Sequence, residues 1–237
     1  MSEAMLEATG LTAGYGPATV IHGISFRVAR GEAVAVLGRN GAGKSTTIKA
    51  LVGLVRRSAG ALRFDGTEIG RLPPQKIARL GLGYVPEERR IFSELTVAEN
   101  LEVGRQAPRE GAPEWPLETL YELFPELGRM QDRRAGRMSG GEQQMLTIAR
   151  TLAGNPKLLL LDEPAEGLAP VVLDRIAETV KTLKAEGLTL LIAEQNLGFA
   201  ADIAERCLVI ENGDLPHEGP MAGFMADADL RHRYLAV

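Results

Sequence analysis

The residues Gly38-Arg39-Asn40-Gly41-Ala42-Gly43-Lys44-Ser45-Thr46 set glycines, a lysine and hydroxyls at the spacing G-x-x-x-x-G-K-[ST]. Such a stretch suits phosphate. Its glycines let backbone N–H groups close around phosphate oxygens, and a helix starting there adds the partial positive charge of its N-terminus. Lys44 is spaced to reach the β- and γ-phosphates of a nucleoside triphosphate, Ser45 to put its hydroxyl on Mg²⁺, and Thr46 to continue the helix. A Gly-rich turn before a helix is the plainer reading of the same letters.

A second set of chemistry-bearing residues closes the apolar run Leu158-Leu159-Leu160-Leu161 with Asp162 and Glu163. Carboxylates at the end of a buried strand need a partner or a task, because charge is costly there. Beside a phosphate loop, Asp162 fits a Mg²⁺ site through water, and Glu163 fits the orientation and activation of an attacking water. Ordinary helix capping is the alternative. The third set, Ser139-Gly140-Gly141-Glu142, precedes Met145, Ile148, Ala149 and Leu152 at helical spacing. Ser139 and Glu142 form an S-x-x-E capping box, which explains both without a ligand. A cap needs no paired glycines, however, and Gly140-Gly141 leaves backbone N–H groups open to an anion.

The elements that must position these residues can be read from apolar patterning. Ala33 to Leu37, Lys157 to Leu161, Leu188 to Ala193 and Cys207 to Ile210 are apolar runs without alternation, as expected of parallel strands buried on both faces. Leu173, Ile176, Ala177, Val180 and Leu183 repeat at helical spacing up to a cap at Gly187, which makes a βαβ unit. Leu6 to Ala13 and Ile24 to Ala29, separated by Gly14-Tyr15-Gly16-Pro17, and Ala61 to Phe64 before Asp65-Gly66 predict an antiparallel β lobe. From about Leu72 to Asn155 the patterns are helical, with an exposed Pro-rich connector from Pro108 to Pro116 in which Trp115 packs.

Composition narrows the class. The 237 residues carry a formal charge of −4, so no basic footprint for a nucleic-acid backbone is present. The apolar runs fall far short of the ~20 residues of a spanning helix. The start, Met1-Ser2-Glu3-Ala4-Met5, lacks a basic or apolar leader, which argues for a cytoplasmic protein. Cys207, the single cysteine, sits in a strand-like run and reads as a buried structural thiol. His22, His217 and His232 have no metal-ligand spacing, so zinc is not expected.

Taken together, the phosphate loop, Met138-Ser139-Gly140-Gly141-Glu142-Gln143 as a signature, and Asp162-Glu163 resemble the ATP-binding cassette (ABC) family in order and spacing over nearly the whole chain. The resemblance implies an α/β P-loop NTPase of ABC ATPase type. Its RecA-like parallel sheet core and antiparallel β lobe would span about 1–70 and 156–237, and its helical insertion about 71–155, all in one domain 1–237. It implies ATP and Mg²⁺ as ligands, and Tyr15 stacking on the adenine. Ser139, Gly140, Gly141 and Glu142 would contact the nucleotide of a second ATPase subunit in a head-to-tail dimer. Tyr84 to Leu101 would sense the γ-phosphate and grip a membrane permease.

The chain departs from the family at Glu87, where a glutamine is usual, and at Gln195, where a histidine is usual. Glu87 can offer Mg²⁺ an oxygen but adds negative charge. Gln195 can donate a hydrogen bond to the γ-phosphate but cannot serve as acid or base, which leaves Glu163 as general base with Lys44 and Gln195 beside it. Ala169 replaces an aspartate of the family, with Glu166 nearby as compensation. Tyr84-Val85-Pro86-Glu87, Gly167-Leu168-Ala169-Pro170 and Glu194-Gln195-Asn196 resemble the ATPases of branched-chain amino-acid importers, in particular the second of their two ATPase subunits. That implies a heterodimer with a related ATPase rather than a homodimer, permease partners, a solute-binding protein acting indirectly, and a place on the inner face of the membrane. Other readings are a soluble ABC ATPase acting on nucleic acid or ribosomes, and the ATPase of an exporter or lipid-extraction complex.

Overall fold

Parallel strands with both faces covered form the centre of the molecule, in a computed structural model that describes residues 3–235. Met1 and Ser2 of the N-terminal reading, and the last two positions of the expected domain, lie outside the described residues. Strands β3 (Ala33–Leu37), β8 (Leu158–Asp162) and β9 (Thr189–Glu194) are buried at every position. With β7 (Leu82–Val85), β10 (Arg206–Glu211) and β11 (Asp214–Pro220) they make a sheet of order β11-β10-β3-β9-β8-β7, in which only β11 runs antiparallel to its neighbour. The register pairs Leu37 with Glu194, Ala193 with Asp162, and Leu161 with Val85. The loops after β3, β7, β8 and β9 therefore leave one common edge, where ligands bind in open parallel sheets.

The second sheet is the antiparallel lobe, ordered β2 (Ala18–Ala29), β1 (Ala4–Tyr15), β5 (Ala61–Phe64), β6 (Thr67–Glu68), with β4 (Arg56–Ser58) also on β1. Its main hairpin joins β1 (Ala4–Tyr15) to β2 (Ala18–Ala29) through Gly16-Pro17, with Tyr15 paired to Ala18. Both strands run longer than the apolar alternation suggests, because register irregularities between Ala8 and Thr12 absorb the break in pattern around Gly10. Short strands β4 (Arg56–Ser58), β5 (Ala61–Phe64) and β6 (Thr67–Glu68) complete it.

The strand alternation of β8 divides its side chains between two cores. Leu158 and Leu160 join Ile48 and Leu51 of α1 (Lys44–Leu51) and Phe64 of the lobe. Leu159 and Leu161 join Leu146 and Ile148 of α6 (Gly140–Leu152) and Val180 of α7 (Pro170–Ala185). A third cluster sets Leu37 and Val209 against α8 (Leu197–Ile203), α9 (Met221–Ala226) and α10 (Ala228–Leu235).

The helical insertion expected from about 71 needs correction at its start. After α2 (Pro74–Arg79), Leu82–Val85 is a core strand paired in parallel with Leu158 to Leu161. Four residues including Gly83 gave no strand pattern, and a Cβ at Gly83 would press on Thr151 and Pro156 at 3.0 Å, so this strand lies under close packing. Continuous helical structure begins with α3 (Val97–Gly104), followed by α4 (Leu117–Leu123), α5 (Pro125–Arg129) and α6. The connector before α4 is largely open, but Trp115 is buried and its backbone N–H donates to Asn155 Oδ1 at 2.8 Å.

Candidate active site

The phosphate loop leaves β3 at Leu37, and its glycines are there for want of space as well as for freedom. A Cβ on Gly38 would lie 2.4 Å from the Ile210 carbonyl oxygen, and Gly43 takes φ 118° with Ile21 Cδ1 2.7 Å from where its Cβ would be. Gly43 caps α1 without any side-chain hydrogen bond, so the first-turn amides of that helix remain available to an anion. At the other end Arg57 donates to the carbonyls of Ala50, Leu51 and Ile69 and so ties α1 to the lobe. The turn after β10 braces the loop from behind, with Gly213 N–H donating to Ala42 O at 2.9 Å and His22 N–H donating to Gly213 O at 3.0 Å.

Lys44 is buried, and its Nζ donates to Gly38 O at 3.0 Å and Arg39 O at 3.3 Å. It also lies 3.1 Å from Glu163 Oε1. The other Glu163 oxygen accepts from Gln195 Nε2 at 3.4 Å. Glu163 has a left-handed backbone, φ 47°, held by its N–H on Ala193 O at 2.9 Å, a strained conformation of the kind kept where a side chain must be aimed. Three residues of the expected catalytic set thus meet in one place, with both carboxylate oxygens directed by hydrogen-bond donors.

Asp162 is fully buried. Its Oδ2 accepts from the Tyr84 hydroxyl at 3.2 Å, while its Oδ1 has no partner among the described residues. Burial raises its carboxyl above the usual aspartate range, opposed in part by the nearby Ser45 hydroxyl. Burial, together with the charge of Asp162, likewise pushes the Tyr84 phenol up. A buried carboxylate with one unsatisfied oxygen beside a serine hydroxyl fits a hard divalent cation that takes its remaining ligands from phosphate and water. Among the described residues no three His, Cys, Asp or Glu side chains converge, so such a cation would have one deeply buried carboxylate. Glu87 is exposed, and the Glu166 carboxyl is raised by burial and then by the neighbouring carboxylates of Glu87 and Glu163.

Some organising residues belong to motifs that assign them no task of their own. Glu194 is buried and accepts the backbone N–H groups of Ala165, Gln195 and Asn196 at 3.0, 2.8 and 2.7 Å, which locks the turn after Glu163 to the turn bearing Gln195. Its carboxyl is raised by burial despite those donors. Asn100 holds the loop after β7 through Phe92 N–H and the carbonyls of Phe92 and Thr96. In both cases the available signal was a polar residue among apolar ones, Glu194 at the end of Leu188 to Ala193 and Asn100 between Val97 and Leu101.

The capping box at Ser139 is formed in full, with Ser139 N–H on Glu142 Oε2 at 2.7 Å and Glu142 N–H on Ser139 Oγ at 3.4 Å. Gly140 lies against the Arg89 guanidinium and Gly141 against Val172, at 2.6 and 2.7 Å from their ideal Cβ positions. Among the described residues no hydrogen bond or ion pair joins Ser139 to Glu142 with the phosphate loop, so the chain does not bring these two motifs together by itself. Tyr15, at the hairpin tip, is 50% exposed and thus free to stack on a flat ligand rather than packed in the core.

Residues 21–166 match the family model described as ABC transporter. The chain belongs to that family. It is 41% identical over 231 residues to the high-affinity branched-chain amino acid transport ATP-binding protein BraG of Pseudomonas aeruginosa, covering 98% of this chain and 99% of the relative. It is also 36% identical over 233 residues to the lipopolysaccharide export system ATP-binding protein LptB of Haemophilus influenzae, at 98% and 97% coverage. Among solved structures, the ADP conformation of MJ1267, an ATP-binding cassette of an ABC transporter, superposes with a TM-score of 0.80 at 27% identity and 97% coverage of both chains. The ABC ATPase fold and ATP hydrolysis follow from this membership. No helix among the described residues of this ABC ATPase is long and apolar enough to cross a membrane.

Proposed function

We propose that this ABC ATPase drives an importer of branched-chain or related amino acids, as one of two related ATPase subunits under integral membrane permeases on the inner face of the membrane. A solute-binding protein would deliver the cargo without touching this chain. Near-full-length similarity to BraG supports the cargo class. The observation that carries the chemistry is the double orientation of Glu163 between Lys44 and Gln195.

In this reading the adenine stacks on Tyr15, the backbone from Gly38 to Gly43 wraps the phosphates, and the phosphate oxygens draw Lys44 away from Glu163. Ser45 and Asp162 would hold Mg²⁺, which supplies positive charge to the β- and γ-phosphates; Glu87 lies further out. The freed Glu163 carboxylate accepts a proton from water as the water oxygen bonds the γ-phosphorus and the bond to the β-phosphate oxygen breaks, releasing ADP and phosphate. Gln195 donates a hydrogen bond to the γ-phosphate. Ser139, Gly140, Gly141 and Glu142 present the α6 N-terminus to the nucleotide of the second subunit.

The test of the chemistry is Glu163→Gln, expected to lower turnover by roughly 10²–10⁴ while ATP still binds; near-normal hydrolysis would remove Glu163 from this role. The cargo is tested by reconstituting the complex in vesicles and measuring ATP-dependent uptake of leucine, isoleucine and valine. The similarity to LptB favours a second reading, extraction or export of a lipid. ATP-dependent lipid release without amino-acid uptake would establish that reading instead, and recovery on ribosomes or nucleic acid rather than with permeases would overturn both.

A further inference from the structure

The loop after β7 holds two consecutive residues in the left-handed region, Arg89 at φ 62° and Arg90 at φ 41°. Glycine takes that conformation freely, whereas an arginine there is strained and needs a reason in its side chain. The strained backbone is fixed on α6 at both residues. Thr147 Oγ1 donates to Arg89 O at 2.5 Å, and Arg150 donates to Arg90 O at 2.7 Å. The Arg90 side chain is exposed and pairs with Glu88 at 3.3 Å.

The Arg89 guanidinium instead fills the space between two turns that lie far apart in sequence. A Cβ on Gly140 would lie 2.6 Å from its Nη1, and one on Gly167 would lie 3.9 Å from its Nη2. Nη2 also reaches the Glu166 carbonyl oxygen at 3.5 Å. Among the described residues no carboxylate forms an ion pair with it. Gly140 opens α6 directly after Ser139, while the Glu166 N–H donates to the Glu163 carbonyl at 3.1 Å. One side chain therefore touches both the signature turn and the turn that aims the candidate base.

We infer that Arg89 is a positioning residue for hydrolysis: its guanidinium holds the turn from Glu163 to Gly167 against the Ser139 to Gly141 turn, so that engagement of the signature by the second subunit's nucleotide is transmitted to Glu163. The inference deepens the shared-site reading and rests on it. A flat guanidinium can lie on a glycine backbone and donate sideways to a carbonyl, which a point-charged ammonium does less well. The 3.5 Å contact is long, as hydrogen bonds that serve catalysis often are before the ligand is seated. Arg89 touches neither nucleotide and acts through Glu163.

The test is made on the two ATPase subunits assembled with their permeases. Arg89→Gly suits the left-handed backbone and removes only the side chain, so its thermal stability should stay close to that of the parent. Arg89→Met keeps the length without the charge. Both should lower kcat roughly 10- to 100-fold and make the rate close to non-cooperative in ATP, while the ATP affinity of the free subunit stays within about twofold of the parent. Arg89→Lys, which keeps a donor for the Glu166 carbonyl, should recover part of the rate. Arg89→Gly with the rate and cooperativity of the parent overturns the inference and leaves the shared sites standing. ATP binding weakened in proportion to the lost rate likewise overturns it, since the side chain would then serve the nucleotide pocket and not Glu163. If the parent chain hydrolyses ATP at one rate per chain at every dilution, with or without the related subunit, the shared-site reading itself falls, and this inference with it.

Discussion

At the residue scale the site depends on a few side chains whose surroundings set their chemistry. Lys44→Ala removes a buried cation that several acceptors compete for, and the loss of charged hydrogen bonds of about 1.5–3 kcal/mol should weaken ATP binding roughly 10- to 150-fold, as a fluorescent nucleotide titration would measure. Tyr84→Phe takes the hydroxyl from Asp162 Oδ2 and should raise the Mg²⁺ concentration needed for half-maximal turnover by roughly 10- to 100-fold, with ATP affinity in the absence of Mg²⁺ unchanged. An unaltered Mg²⁺ dependence would mean that Tyr84 only fills space. The phosphate-loop residues and Asp162-Glu163 were legible because their chemistry demands fixed residue types at fixed spacing along one loop or one strand end. The tasks of Glu194 and Tyr84, visible only as members of their motifs, were not, because each acts on a residue far away in sequence: Glu194 on Ala165 and Tyr84 on Asp162. Only the pairing of β7, β8 and β9 brings those positions together.

At the element scale the phosphate loop is held by neighbours outside its motif. Gly213 has φ 84°, and a Cβ there would lie 1.8 Å from Val20 O. Gly213→Ala should therefore cost about 1–3 kcal/mol in backbone strain and push the turn off Ala42; lower thermal stability together with weaker nucleotide binding is the expected pair of results, and lost stability with normal binding would confine the brace to folding. Asp65 joins the lobe to the core, its carboxylate on Lys157 Nζ at 2.5 Å and on Arg30 at 2.6 Å. The hydrogen bond from Lys157 above all, then that from Arg30, outweighs burial and holds its carboxyl below the usual aspartate value. A depressed carboxyl stabilises the fold above its unfolded-state pKa and loses that contribution as pH falls through the folded-state value. Asp65→Asn, which tolerates the same left-handed backbone, should thus destabilise by about 1 kcal/mol at neutral pH, and the difference should shrink in denaturant titrations as pH falls through the depressed folded-state value. The buried strands were legible from unbroken apolar runs, whereas β7 was too short and too glycine-containing to show a period.

At the scale of the whole molecule, the separation of the Ser139 motif from the phosphate loop supports the proposal that a second ATPase subunit completes the site. Under MgATP the Glu163→Gln variant should shift from monomer to dimer in light scattering, more readily when the related ATPase subunit is added. A persistent monomer in both mixtures would contradict the shared-site reading. One further property of the assembled molecule follows from Cys207. It is the single cysteine of the chain, fully buried on a core strand, and burial pushes its thiol up to about 11. The native protein should accordingly stay unlabelled by maleimide probes at neutral pH, which mass spectrometry of the treated protein checks. A spectroscopic label can therefore be attached at one introduced thiol, on exposed Val103 near the end of α3, without stripping any native residue, and movement of that helix on nucleotide binding can be timed in the otherwise unaltered chain.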